Sequence, residues 1–332
     1  MKACAKGVAR PFPRGRGLPN FGVGSGRKIT ILGPGIKGRK PRGYVLLLVK
    51  RILLRLKRLV VRLIGTLPPP AAPVRAALTF EKFEHRAPTH QNAADLFKGK
   101  WASKLGDVSD VAESGQISLF VSRIGVDVAQ HLGTGGRFDG MSILELGPLE
   151  GAQTYQLDQL GAHTVAIEAN AEAFLKCLVV KEVLNLRNSR FLLGDFVEYL
   201  AHSKDRFDLV FACGVLYHMQ DPVNLIRLIA GVTDRCFVWT HYYDEAHRGS
   251  TLEMVAKPVT VHGLQTTYYQ FNYPNMDYDL FYGGNKPVTS WMPRDSILDA
   301  FKHFGFGDIT IISEQPDHPH GSCFGFVAQR RR

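Results

Sequence analysis

The sequence predicts an α/β fold, a mostly parallel sheet with helices on both faces. Three observations carry that prediction. Short apolar runs occur at 142–146, 163–167, 190–193 and 207–213, with helix-length segments between them. Each run ends in an acidic residue or a glycine. Two further β-rich runs near the C-terminus can close the sheet as an antiparallel hairpin. Strands that alternate with helices at this spacing require βαβ crossovers, and ligands of such sheets sit outside the carboxyl ends of the strands.

Charge divides the chain before any element is assigned. The formal net charge is +11, yet residues 1–80 hold 18 Lys or Arg and no Asp or Glu, which leaves 23 basic against 30 acidic residues in the other 252. A basic balance of this kind suits a polyanion, and here only the front of the chain supplies it. Residues 1–42 are rich in Gly, Pro and Arg without apolar periodicity, the composition of a disordered basic extension. A misassigned start codon would account for the same stretch. It contains Gly33-Pro34-Gly35-Ile36-Lys37-Gly38, a literal G-x-G-x-x-G. Arg39-Lys40-Pro41-Arg42-Gly43 cannot open the helix that a nucleotide site needs there, so the match is rejected.

Residues 43–66 predict a basic amphipathic helix, because Arg51, Arg55, Arg58 and Arg62 follow a spacing that aligns them on one face. Six Lys or Arg within 44–64 oppose a spanning segment, since each costs about 2.5–3.5 kcal/mol at a bilayer centre. An anionic membrane surface is the expected partner; packing on the domain and nucleic-acid contact are the alternatives. Residues 67–79 form a Pro-rich linker.

Residues 80–135 are expected to cap the domain. Phe80, Phe83, His85, His90, Phe97 and Trp101 make the segment too aromatic for a linker, and a helix is expected over Ile117–Leu132. Next comes the most informative stretch, Ser142 to Gly151. A short strand carries Glu145 and ends in Gly147 and Gly151, glycines four apart that let the backbone turn sharply near a ligand. A helix from Ala152 would turn its N-terminal amides toward that ligand. Leu149 replaces the middle glycine of the dinucleotide fingerprint, and Glu145 suits a cationic ligand rather than a pyrophosphate. Glu168, about twenty residues on, stands where an acid accepts hydrogen bonds from ribose hydroxyls. Asp195-Phe196 marks the third strand end, and Gly214 the fourth. Asp221-Pro222 then opens a helix.

These residues resemble the class I S-adenosylmethionine (SAM)-dependent methyltransferases over roughly Ser142 to Thr240. The resemblance implies a Rossmann-like seven-stranded sheet and SAM as cofactor. It assigns Glu145, Gly147, Gly151, Glu168, Asp195, Phe196 and Gly214 to cofactor binding, with Glu168 at the ribose and Asp195-Phe196 at the adenine. Gly214-Val215-Leu216-Tyr217-His218 followed by Asp221-Pro222 looks like the tRNA wobble-uridine carboxymethyltransferases. Glu145-Leu146-Gly147-Pro148-Leu149-Glu150-Gly151, with Gln91-Asn92-Ala93 and Phe97-Lys98-Gly99 upstream, is closer to bacterial methyltransferases associated with glycosyltransferase and surface-polysaccharide genes.

His218 and His241 are the catalytic candidates. Each stands at the carboxyl end of a strand and can take a proton from a substrate hydroxyl. Tyr217 and Tyr242 are expected to line the acceptor pocket. The insertion at 248–292, after the fifth strand, carries Tyr268, Tyr269, Phe271, Tyr273, Tyr278, Phe281, Tyr282 and Trp291. That density suits a substrate cap or the core of a small β-meander. Five scattered cysteines lack metal-ligand spacing, so buried free thiols and no metal are expected, in a reducing cytoplasm. His262, His318 and His320 have no partner by spacing.

The expected activity is methyl transfer from SAM to a small or glycan acceptor, one carried on a lipid if the basic helix holds the enzyme peripherally at the inner face of a membrane. A tRNA-modifying transferase and a non-catalytic SAM-binding scaffold are the competing readings.

Overall fold

The computed structural model describes residues 81–113, 115–246, 254–273 and 286–331. The basic extension, the amphipathic stretch at 44–64 and the proline-rich linker lie outside these residues, as do Tyr278, Phe281 and Tyr282 of the insertion.

Seven strands form the main sheet: β1 (Ser142–Leu146), β2 (His163–Glu168), β3 (Ser189–Leu193), β4 (Leu209–Cys213), β5 (Arg235–His241), β9 (Asp308–Gln315) and β10 (Cys323–Gln329). Their order is β3-β2-β1-β4-β5-β10-β9. Pairing is parallel from β3 through β5, whereas β10 runs antiparallel to both β5 and β9. The order reverses direction between β1 and β4, the kind of switch point at which open α/β sheets bind ligands.

The central strands are apolar throughout because both faces are covered. In β4, Leu209 and Phe211 pack with Phe138, Leu157 and Phe237 on one side. Val210 and Ala212 face the opposite cluster with Ile226, Phe301, Phe324 and Phe326. The first side is covered by α2 (Ile124–Leu132) and α3 (Ala152–Gln159), with α4 (Ala171–Val183) beyond them. The other is covered by α5 (Phe196–His202), α6 (Pro222–Val232) and α7 (Arg294–His303). Side-chain caps start three of these helices in the segments that follow β2, β3 and β4. Asn170 accepts from the Ala173 amide, Asp195 from Val197 and Asp221 from Asn224, each satisfying an amide that the helix leaves open.

One local outcome departs from the sequence pattern, and one takes up an alternative that the pattern left open. The helix expected from Ile117 begins only at Ile124. Residues 117–122 are held otherwise: Ile117 bridges Ser103, and the Gln156 amide donates to the Leu119 carbonyl and the Ser122 hydroxyl. A turn and a half of α-helix, α1 (His90–Asp95), and a 3-10 turn at Leu105–Asp107 are the other helical pieces described in this N-terminal segment. The insertion contains a β-meander, β6 (Val255–Val261), β7 (Leu264–Asn272) and β8 (Val288–Trp291), which forms a second, antiparallel sheet.

Candidate functional site

The carboxyl ends of β1, β2, β3 and β4 carry the residues expected to hold the cofactor. Gly147 follows β1 with φ 65°, and a Cβ there would lie 2.7 Å from Val215 Cγ1, so only glycine fits. Leu149 is itself left-handed, with φ 57°, where a leucine is uncommon. That turn aims the Leu149 amide at Glu168 Oε2, 3.0 Å away, while Glu168 Oε1 accepts from the Asn170 amide at 2.8 Å. Each carboxylate oxygen keeps a second lone pair for a ribose hydroxyl. Burial pushes the Glu168 carboxyl above its ordinary value, and the two amides oppose that shift.

Glu145 is buried on β1 and accepts a 2.5 Å hydrogen bond from Thr154 Oγ1 on α3. Burial pushes its carboxyl up to about 8, with the Thr154 bond opposing and Glu168 adding to the rise. The residue thus ties the glycine loop to its helix, and its burial favours the protonated carboxyl. Gly151, with φ 80°, begins that helix. Asp195 caps α5, and Phe196 is 8% exposed and packs into the core. Gly214, with φ 81°, turns the chain out of β4.

Beside this loop, Tyr217, His218 and His241 come together. The Tyr217 ring lies 4.0 Å from His218 and 4.7 Å, edge to face, from His241. His218 Nδ1 is 2.5 Å from the Tyr273 hydroxyl of the insertion. His241 Nδ1 is 2.7 Å from the Gly321 carbonyl, and its ring stacks on Trp291 at 5.3 Å and 9°. Burial lowers His218 to about 3 and His241 to about 4, His218 with a further push from His241. Burial also raises the Tyr217 hydroxyl. Both imidazoles are therefore neutral at physiological pH.

Tyr242 does not join them. It follows His241 in an extended chain, so its side chain takes the other face. There it meets Phe324 edge to face at 5.4 Å, with its hydroxyl 3.5 Å from Glu314 Oε1.

Sequence spacing missed several neighbours. Trp239 lies 5.2 Å from the His241 ring, and His318, to which spacing assigned no partner, lies 5.1 Å from it. The β8 strand clamps the segment after β4. Thr289 donates to the Tyr217 carbonyl, Ser290 Oγ donates to Gln220 and the Ser290 amide to Met219. Only the fold brings residues 70 positions apart into these contacts, although the aromatic density of the insertion signalled proximity. Glu150, inside the glycine loop, was also unassigned. It is 2% exposed, pairs with Lys176 at 3.0 Å and accepts the Ala102 and Ser103 amides of the N-terminal segment.

Residues 137–255 match the family described as a methyltransferase domain. The N-terminal domain of EvdMO1, solved with S-adenosylhomocysteine (SAH) bound, is similar at 25% identity, over 66% of this chain and 87% of that one, with a TM-score of 0.51. The same domain solved in the presence of SAH and D-fucose aligns at 24% identity over 73% and 95% of the two chains, with a TM-score of 0.54. The match to EvdMO1 itself covers 43% of that chain, at a TM-score of 0.43. No curated protein matches the sequence. With the strand order and the glycine loop, these findings make the chain a SAM-dependent methyltransferase, with SAM as its cofactor.

Proposed function

We propose that this chain methylates a hydroxyl of a small, sugar-like acceptor, bound where Tyr217, His218 and His241 meet the aromatic insertion. The observation that carries this reading is the ring cluster of Tyr217, Trp239, His241 and Trp291 at the carboxyl ends of β4 and β5, beside the β1 glycine loop. Aromatic walls with a few polar groups suit a small acceptor. Trp291 Nε1 is buried and has no hydrogen-bond partner among the described residues, a donor suited to an acceptor oxygen.

In the reaction the acceptor oxygen attacks the sulfonium methyl carbon, the carbon–sulfur bond breaks with its electron pair on sulfur, and SAH leaves. The hydroxyl proton passes to His218, His241 or solvent. Imidazoles lowered to about 3 and 4 offer little driving force as bases. In-line positioning then supplies the larger share. Glu145, Gly147, Gly151, Glu168, Asp195, Phe196 and Gly214 remain the residues proposed for SAM.

The test is His218→Ala and His241→Ala, each assayed for methyl transfer and for SAH binding by calorimetry. The expected result is turnover lower by roughly 10²-fold, the cost of misplacing a reactant by about 1 Å, with SAH affinity nearly unchanged. Full turnover in both variants would remove the pair from the acceptor site.

A further inference from the structure

Three side chains with metal-ligating atoms meet at the carboxyl end of β5. His241, His318 and Cys323 each offer one such atom, and all three atoms lie within 4.8 Å of one another. The fold accounts for the meeting. Cys323 is the residue of β10 directly opposite His241 of β5, so both side chains stand on one face of the sheet. His318 comes over them from the loop between β9 and β10. That loop is pinned close by Gly321, whose φ of 109° and contact with the Trp291 ring, 2.8 Å from where a Cβ would sit, exclude any side chain. The Ser322 hydroxyl closes the same loop on the Pro316 carbonyl.

A second feature points the same way. His241 Nδ1 faces the Gly321 carbonyl at 2.7 Å, which places the proton on Nδ1 and leaves the Nε2 lone pair open. Metal-bound histidines are fixed in this manner by a backbone carbonyl. His318 Nδ1 accepts a longer, 3.2 Å contact from the His320 amide, which a cation would have to replace or leave for Nε2.

We propose that His241, His318 and Cys323 bind one divalent cation of borderline softness, zinc by preference, with a fourth position open. Two imidazoles and a thiolate are donors that zinc and copper favour over magnesium or calcium. Zn–N and Zn–S bonds of about 2.0–2.3 Å put tetrahedral donors roughly 3.5 Å apart. The present set would therefore close by about 1 Å on binding. Burial now pushes the Cys323 thiol up to about 11, and coordination would deprotonate it, releasing a proton on binding. At the open position the cation would polarise an acceptor hydroxyl, a task for which the two imidazoles are poor bases. That role, unlike binding itself, rests on the acceptor site proposed above.

Cobalt(II) titration of the full chain reads the site directly, because a thiolate ligand gives a sulfur-to-cobalt charge-transfer band. The expected result is one band-forming ion per chain, displaced by zinc. The band should be lost in Cys323→Ser. In His318→Ala, metal affinity should fall by at least the roughly 10–100-fold that loss of a supporting partner alone costs. SAH binding, measured on each variant, shows that it is folded. A parent that binds SAH but gives no band, or a band that persists in Cys323→Ser, overturns the metal site while leaving methyl transfer intact. Cobalt binding without SAH binding would count against the methyltransferase reading instead.

Discussion

Glu145 shows how one residue was legible in type and not in state. The sequence placed an acid at the end of the first strand, and the structure buries it against Thr154 with its carboxyl raised to about 8. Glu168 faces it and adds to the rise, and the nearby Cys177 and Cys213 thiols are pushed up in part by Glu145 in turn. An unfolded glutamate ionises near its ordinary value of 4.5. From there to about 8 the folded state holds a proton that the unfolded state has lost, so this residue's contribution is complete below 4.5 and declines as pH rises. Glu145→Gln keeps an acceptor for Thr154 and cannot ionise. Urea unfolding from pH 5 to 8 should therefore show a flatter decline in stability for the variant than for the parent. Parallel curves would mean that Glu145 is ionised in the folded protein. Tyr242 teaches the complementary lesson: its type suited a pocket, but strand alternation turns it to the far face, and sequence alone did not fix where β5 ends.

At the scale of elements, the parallel strands and their helices were readable because continuous apolar runs and capping residues are local signals. The start of α2 was misplaced because Gln156, more than thirty positions away, organises residues 117–122. The glycine loop was readable at Gly147 and Gly151, yet not at Leu149, whose left-handed turn is stabilised by Glu168 on the next strand. Gly147→Ala meets two costs: about 1–2 kcal/mol for the backbone conformation and about 1–3 kcal/mol for crowding Val215. Adding Val215→Ala to that variant should return the crowding part only. Unfolding energies that are simply additive across the two substitutions would show that Val215 does not confine the loop. Glu150 is a further tie of this kind, since it joins the N-terminal segment, the glycine loop and α4 through a buried ion pair that no local pattern reveals.

For the whole molecule, the acidic catalytic region and the basic front of the chain are separate in sequence. Among the described residues no helix is long and apolar enough to cross a membrane. Residues 44–64 remain our proposed contact with an anionic bilayer. Replacing Arg51, Arg55, Arg58 and Arg62 by Gln should abolish salt-sensitive sedimentation with anionic vesicles; unchanged sedimentation would assign the contact elsewhere. The insertion was legible as aromatic, but its role was not, because β8 reaches the β4 segment only through tertiary hydrogen bonds. The central claim is that these parts join a SAM site to a sugar-binding ring cluster. Transfer of label from methyl-labelled SAM to a panel of free monosaccharides and their nucleotide-linked forms tests it most directly. The account predicts one O-methylated sugar product with SAH formed in equal amount, and both lost in Gly147→Ala. Label appearing in transfer RNA and in no sugar would contradict it.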